Sequence, residues 1–373
     1  MNRGRKIGRL GDYVLFSNGL EKAEVISSEP TVEQEYGAFN FMYGPSAGGL
    51  IESIGFNIYT SGEKILKIRP ILYKDRIFAI SGMKVKDALA VVERINANFS
   101  AAHRAAFLIA CSKDIDYNMK LDMIVRIELE RIRNNLHVIG RMVEASSQGV
   151  ASNMLFYLRE LINRAIDVAY GHRFFFNSEV GKFQELSGQL SIIVKQFNEI
   201  FNHLLDTRIF LDRLDKNGII KDDSLIGPAA RAAGFNYDAR IDADYLPYSD
   251  LDFKGGILQE SGDALGRFMV RASEIEKSAE IIYNALDIIK TKYAITPPVI
   301  NGDGIGRVES PSGDLAYFVK IIDEKIKEVY LLSPSEINLD FFVKSMVGNI
   351  FTDFPFNWES FGICSSELGV KFV

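Results

Sequence analysis

Leu190-Ser191-Ile192-Ile193-Val194-Lys195-Gln196-Phe197-Asn198-Glu199-Ile200-Phe201-Asn202-His203-Leu204-Leu205 carries the clearest periodicity in the chain. Leu190, Ile193, Val194, Phe197, Phe201, Leu204 and Leu205 follow the i, i+3, i+4, i+7 spacing, which lays a broad apolar stripe along one face of a helix. Such a stripe has to be buried against other helices. Lys84 to Ile95, Ala101 to Cys111, Leu121 to Val143, Val150 to Tyr170 and Asp263 to Tyr293 also read as helical, separated by breaks containing Gly or Asp. A helix bundle over residues 84–300 is therefore expected. Within it, residues 218–253 are rich in Gly, Pro, Asp and Tyr and show no period; they read as a long irregular segment packed on the bundle, a kind of loop that is usually functional.

Strand signals flank the bundle. Residues 1–39 alternate short apolar runs with Gly and acidic clusters and read as an extended or weakly stranded leader. Residues 40–83 carry the turns Gly44-Pro45, Gly48-Gly49 and Ser61-Gly62-Glu63 around strand-like runs, and predict a small antiparallel sheet. Residues 301–373 read as a β-meander, with Gly306 to Ser310, Leu315 to Ile322 and Glu328 to Leu332 as its strands. A final helix follows, opened by Ser333 or Ser335 as cap, and then an irregular aromatic tail from Asp353 to Val373. The fold class is α+β: mainly a helical bundle with a small N-terminal antiparallel sheet and a C-terminal β-meander.

Composition narrows the function. The 373 residues hold 43 Lys plus Arg against 49 Asp plus Glu, a net charge of −6, with no dense basic tract, so phosphate-backbone binding is excluded and no nucleic-acid partner is expected. The two cysteines, Cys111 and Cys364, cannot build a disulfide framework, which points to a reducing compartment. The basic start, Met1 to Lys6, leads into residues broken by Arg9, Gly11 and Asp12 rather than into an apolar run, so it does not read as a signal peptide. No stretch is apolar enough to span a membrane, and any attachment is expected through partners, on the cytoplasmic face. Asn301-Gly302-Asp303-Gly304-Ile305-Gly306 precedes a strand, not a helix, and so is not a dinucleotide fingerprint.

Five segments, in order, resemble one family. Glu128-Leu129-Glu130-Arg131-Ile132-Arg133-Asn134-Asn135-Leu136 is similar to an E-L-x-R-I-x-N-H-L helix. Gly227-Pro228-Ala229-Ala230-Arg231-Ala232-Ala233-Gly234 with Asp238-Ala239-Arg240 is similar to G-P-x-x-R-A-S-G-x-x-x-D-x-R. Gly262-Asp263 with Arg267, Arg271, Glu274 and Ser278 forms the third segment; Gly306-Arg307-Val308-Glu309-Ser310-Pro311-Ser312-Gly313-Asp314-Leu315 the fourth; and Ser333-Pro334-Ser335 with Asn338-Leu339 the fifth. Together they resemble the catalytic large subunit of nickel-iron hydrogenases and its descendant, the D (49-kDa) subunit of NADH-quinone oxidoreductase. The resemblance implies oxidoreductase function, quinone and NAD binding in a respiratory complex, and electron transport. It also implies partners: a small subunit carrying an iron-sulfur cluster, a C-type subunit and a membrane-embedded subunit.

The departures from the family are informative. Its metal sits on four thiolates, the soft donors that nickel and iron require there. Aligning Arg94 and His103 to R-V-C-G-I-C-x-x-x-H puts Asn96 and Phe99 at the first cysteine pair, and in Phe361-Gly362-Ile363-Cys364-Ser365-Ser366-Glu367 only Cys364 remains, with Glu367 at the last thiolate position. No metal is expected. The family's 49-kDa members carry the same loss, and there the emptied cavity became the head of a quinone pocket lined by a turn histidine and a bundle tyrosine. Here the turn reads Gly44-Pro45-Ser46-Ala47-Gly48-Gly49, without histidine, and His103 stands at the apparent tyrosine position.

The candidate pocket lining is therefore Asn96, Phe99, Ser46, Cys364 and Glu367, around a quinone-like acceptor, with no cofactor bound directly. The candidate chemical residues are His103, Glu93, Arg94, Asp238 and Arg240. His103 reads equally as a proton-coupling group or a structural one. Glu93 and Arg94 read as a proton path or a salt bridge. Asp238, Arg240 and Arg231 read as a proton-transfer element or a rigid staple. Cys364 reads as a ligand or a small buried group. A catalytically inactive scaffold subunit is the alternative for the whole chain.

Overall fold

The computed structural model describes residues 4–11, 13–22, 37–45, 50, 52–72, 75–178, 180–290 and 297–373. At the N-terminus, where the sequence suggests a leader, β1 (Lys6–Leu10), β2 (Tyr13–Phe16) and β3 (Gly19–Lys22) form an antiparallel sheet. Its inward residues Ile7, Leu10 and Leu15 pack on Ala316, Phe318 and Leu332 of the C-terminal meander, so alternation along β1 and β2 has a buried side to face. A second antiparallel sheet, β4 (Ala38–Tyr43), β5 (Ile54–Ser61) and β6 (Lys64–Leu72), is the small sheet read from the sequence.

After the short strand β7 (Arg76–Phe78) come the bundle helices: α1 (Val85–Val92), α2 (Ser100–Cys111), α3 (Tyr117–Ala145), α4 (Gly149–Tyr170), α5 (Leu186–Leu205), α6 (Arg208–Leu214), α7 (Gly227–Ala232), α8 (Ala239–Asp242) and α9 (Ala264–Ile288). The α5 stripe is buried as expected, at Leu190, Ile193, Phe197 and Leu204. α3 is buried on nearly every side, as the central helix of a bundle must be, and it carries Glu128, Glu130, Arg131 and Arg133 into the interior. The meander is β8 (Gly302–Ser310), β9 (Gly313–Ile322) and β10 (Lys325–Leu332), followed by α10 (Pro334–Met346), α11 (Phe354–Phe361) and β11 (Val370–Phe372), which pairs parallel with β7.

Residues 218–253 depart from the irregular segment expected of them: they hold α7, α8 and a 3₁₀ turn at Tyr248–Leu251, each too short to show a period in sequence. The aromatic tail is not irregular either. α11 starts with Pro355 in its first turn, where the missing N–H costs nothing, and buries Phe354, Trp358 and Phe361 at i, i+4 and i+7. The glycines of residues 302–306 serve packing. A Cβ on Gly304 would lie 1.9 Å from the Ala110 carbonyl oxygen and one on Gly306 2.0 Å from that of Ala106, so their absence lets β8 lie against the backbone of α2.

Candidate functional site

The turn between α1 and α2 meets the segment between α11 and β11. The β7–β11 pairing brings the two together, and the Arg76 guanidinium fastens them by donating to the carbonyls of both Ile95 and Ser366. Asn96 caps the 3₁₀ turn Ala97–Phe99, accepting from the Asn98 N–H at 3.0 Å, and its amide nitrogen donates across the junction to Glu367 Oε1 at 3.1 Å.

Glu367 is the centre of the site. His103 Nε2 lies 3.0 Å from Oε1, while Ser333 and Ser335 donate to Oε2 at 3.2 and 2.5 Å. Glu367 and His103 are completely buried. Burial alone would raise the Glu367 pKa, but His103, Ser335 and Asn96 outweigh it and hold the carboxyl below its ordinary value. Facing this carboxylate, Nε2 carries a proton. The other ring nitrogen, Nδ1, is 2.7 Å from the Tyr317 hydroxyl on β9. It accepts from Tyr317 as neutral imidazole or donates to it as imidazolium, so the Tyr317–His103–Glu367 line can hold or pass one proton. Cys364 Sγ is 3.6 Å from Asn96 Oδ1 and 3.0 Å from Ser366 Oγ. Next to it Glu52 accepts from the N–H of Ser365 at 2.9 Å and from its hydroxyl.

The structure thus brings together Asn96, His103, Cys364 and Glu367. Phe99 is buried in the apolar core beside them, and Ser46 lies outside the described residues. Glu93 is buried and pairs chiefly with Arg104, accepting also from the Asn177 N–H at 3.0 Å. It lines a separate cleft of about 490 Å³ between α1, α2 and α3. Arg94 is at the edge of pairing with Glu93, at 4.0 Å, and its guanidinium lies 4.7 Å over the Phe176 ring at the surface. Tyr317 and the hydroxyls of Ser333 and Ser335 are site groups that the sequence reading misses. In sequence the serines read only as helix caps, yet Ser333 does both: it caps α10 by accepting from the N–H of Ser335 and Glu336 while donating to Glu367. Tyr317 sits in a strand buried on both faces, where no alternation singles it out.

Asp238 and Arg240 belong to a second cluster. Arg231 binds Glu274 at 2.6 Å, Glu309 at 2.9 Å and Asp238 at 3.2 Å, while Arg240 holds Asp238 through two bonds of 2.9 and 2.7 Å. On α3, Arg131 grips Glu128, which also accepts from Tyr248 at 2.8 Å and Ser278 at 2.6 Å. These ions are shielded from solvent, and cations and carboxylates alternate through the cluster, so each charge has a counter-charge in a low-dielectric interior. Burial raises Asp238 but Arg240 and Arg231 prevail and hold it well below the carboxylate range; burial, with Asp238 close by, pushes Glu309 up to about 7.

Residues 151–297 match the family described as respiratory-chain NADH dehydrogenase, 49 Kd subunit. The first form of the NADH-quinone oxidoreductase D subunit from Chloroherpeton thalassium is 28% identical, over 75% of this chain and 71% of its own length. The corresponding D protein of Clostridium beijerinckii is 26% identical, over 81% and 85%. Among solved structures, a chain of the membrane-bound sulfane sulfur reductase, an archaeal respiratory membrane complex, shares the fold with a TM-score of 0.80, covering 91% of this chain and all of that one at 20% identity. Over residues 151–297 the chain is thus similar to the 49-kDa subunit, over about three quarters of its length it is similar to D subunits, and it shares its fold with a chain of a respiratory membrane complex.

A nickel-iron centre on thiolates needs four of them, and the residues at this position do not suit one. Cys364 is the single thiol, and burial, with Glu52 and Glu367 beside it, pushes it up to about 12, away from the thiolate a metal would bind. Both oxygens of Glu367 are already engaged by Asn96, His103, Ser333 and Ser335. Among the described residues, no group of three or more His, Cys, Asp and Glu side chains is placed to hold a metal ion, and no helix is long and apolar enough to cross a membrane.

Proposed function

We propose that the chain is a metal-free component, of the 49-kDa type, of a membrane-associated energy-converting redox complex, held at the cytoplasmic face of the membrane through its partners. Its share is to shape the space beside an iron-sulfur cluster in a small subunit, where a quinone-like acceptor takes electrons. The other partners in this reading are a C-type and a membrane-embedded subunit. His103, backed by Glu367 and Tyr317, supplies or removes the accompanying proton. Glu93, Arg94, Asp238 and Arg240 are the further proton-handling candidates, with Phe99 and Ser46 as the further lining candidates.

The observation that carries this reading is that three of the positions aligned to metal thiolates are linked in series to one imidazole: Cys364 to Asn96, Asn96 to Glu367, and Glu367 to His103. The test is quinone reduction by the natively purified complex. The His103→Ala variant should assemble normally yet lose most turnover; unchanged turnover would refute the role of His103.

Glu367 itself favours a second reading, an inactive scaffold. Each of its carboxylate oxygens is satisfied inside the chain and sealed from solvent, as in a structural clasp. An assembled complex that shows no electron transfer to any quinone while its iron-sulfur cluster is reducible would decide for the scaffold.

A further inference from the structure

The seam between α3 and α4 carries charge that the chain does not match. Arg133 of α3 is spent on the carbonyls of Arg173, Ala97 and Asn98 and on Glu130 at 3.5 Å, with its Nε buried and unpartnered. Arg164 and Arg173 share one carboxylate, Glu160. Arg159 of α4, half-buried, makes no hydrogen bond or ion pair with any described residue, and its Nε too is buried without a partner.

Further orphaned atoms lie on the same stretch of the two helices: Asn134 Nδ2 and His137 Nδ1 on α3, and Asn163 Oδ1 on α4. Asn134 and Asn163 are 7% and 6% exposed, so solvent does not satisfy them freely. The antiparallel packing sets Gly140 against Phe156, which puts His137 opposite Arg159 and Arg133 opposite Asn163, one and two turns along. The groups facing this seam are Arg133, His137, Arg141, Glu144 and Glu130 from α3, Arg159, Glu160 and Arg164 from α4, and Arg173 from the loop beyond. Glu130 points to the N-terminus of α2, and Arg141 is matched by Glu144 and by Glu359 of α11, which leaves Glu160 alone for Arg159, Arg164 and Arg173. Cations therefore exceed available carboxylates here, in a chain whose net charge is −6. A partly buried guanidinium without a counter-ion is costly, and the pairing that removes the cost is a carboxylate from outside.

We infer that the α3/α4 seam is a docking surface for a carboxylate-bearing segment of a partner polypeptide, with Arg159 as its anchor. This rests on the reading that the chain works inside a complex. The seam adjoins the candidate site, because Arg133 also holds the turn Ala97–Phe99 that follows Asn96. A partner gripping Arg159 therefore lies against the back of that turn.

The test uses the complex purified from native membranes through a tag on this chain. Arg159→Lys keeps the charge and supplies an amine that a carbodiimide joins to a carboxylate in contact with it. The expected product, read by mass spectrometry, is a cross-link from position 159 to an Asp or Glu of another subunit. Arg159→Glu should weaken retention of that subunit by roughly 30-fold or more, since it leaves a like charge facing the anchor's carboxylate. An intact complex whose only cross-link from position 159 runs to Glu160 of the same chain, or that yields none, would overturn the inference and leave the proposed function standing. Protection of Arg159 by inorganic phosphate from the arginine reagent phenylglyoxal, with no cross-link to a subunit, would overturn it in favour of a free oxyanion. A chain that comes off native membranes alone would overturn both this inference and the assembly reading.

Discussion

Replacing Glu367 separates a hydrogen-bonded centre from a merely filled space. Glu367→Ala removes the acceptor of four donors: the Asn96 amide, His103 Nε2–H and the hydroxyls of Ser333 and Ser335. The hydroxyls can turn to other acceptors. The amide and the imidazole N–H cannot reach water, because Asn96 is 1% and His103 0% exposed. Two stranded donors cost about 1–3 kcal/mol each. With the cavity left behind, the loss comes to about 4 kcal/mol. Glu367→Gln keeps the shape: its carbonyl still accepts from Asn96 and His103, and its amide donates to Ser335 Oγ, which among the described residues otherwise accepts only from the Cys364 N–H. Only the charge-assisted part is lost, partly offset because a charge is no longer buried, so the net cost is about 1 kcal/mol. Urea unfolding of the two variants beside the parent chain measures the difference. Equal losses for Gln and Ala, or a loss under about 1 kcal/mol for Ala, would refute the arrangement. The sign of the pH dependence follows as well. Because the folded-state pKa of Glu367 is depressed, its stabilisation is fully present above the unfolded value near 4.5 and is lost as pH falls through the folded value; Glu367→Gln should lack that loss.

Arg231→Leu leaves Asp238, Glu274 and Glu309 facing one another without their shared cation and should destabilise by about 3–5 kcal/mol, measured by denaturant unfolding; Arg231→Lys, which cannot reach all three, should rescue little. Glu130, pushed up to about 7 by burial despite Arg133 and the Ala101 and Ala102 N–H groups, keeps its proton in the folded chain while the unfolded chain gives it up near 4.5, so folding stability should fall as pH rises between those values and level off above. A pH series of melting temperatures checks this, with the decline smaller in Glu130→Gln. Gly306→Ala places a methyl against the Ala106 carbonyl oxygen and the Ala110 nitrogen, forcing β8 away from α2, and should cost about 1–3 kcal/mol in the same unfolding assay.

Legibility in the sequence depended on length and repetition. α5 shows itself because its stripe persists over five turns, whereas α7, α8 and α11 are too short to establish a period and are fixed by tertiary contacts: α8 by the Asp238 cap, α11 by its aromatic face. Asn96, His103, Cys364 and Glu367 can be singled out because they stand at fixed places in collinear motifs. Tyr317 cannot, since its role comes from β9 packing across α2 and no local pattern encodes that. Arg94 illustrates the converse. Its neighbour Glu93 suggests a pair, but Glu93 turns inward to Arg104 while Arg94 lies on the aromatic surface at Phe176.

The metal content of the complex isolated natively through this chain bears on the emptied centre without any intermediate assumption. Iron and acid-labile sulfide should appear in equal amounts, all attributable to a partner's cluster, with nickel far below one atom per chain. One nickel per chain, accompanied by iron in excess of sulfide, would mean that the centre is still occupied and that Glu367 does not stand where a thiolate was lost.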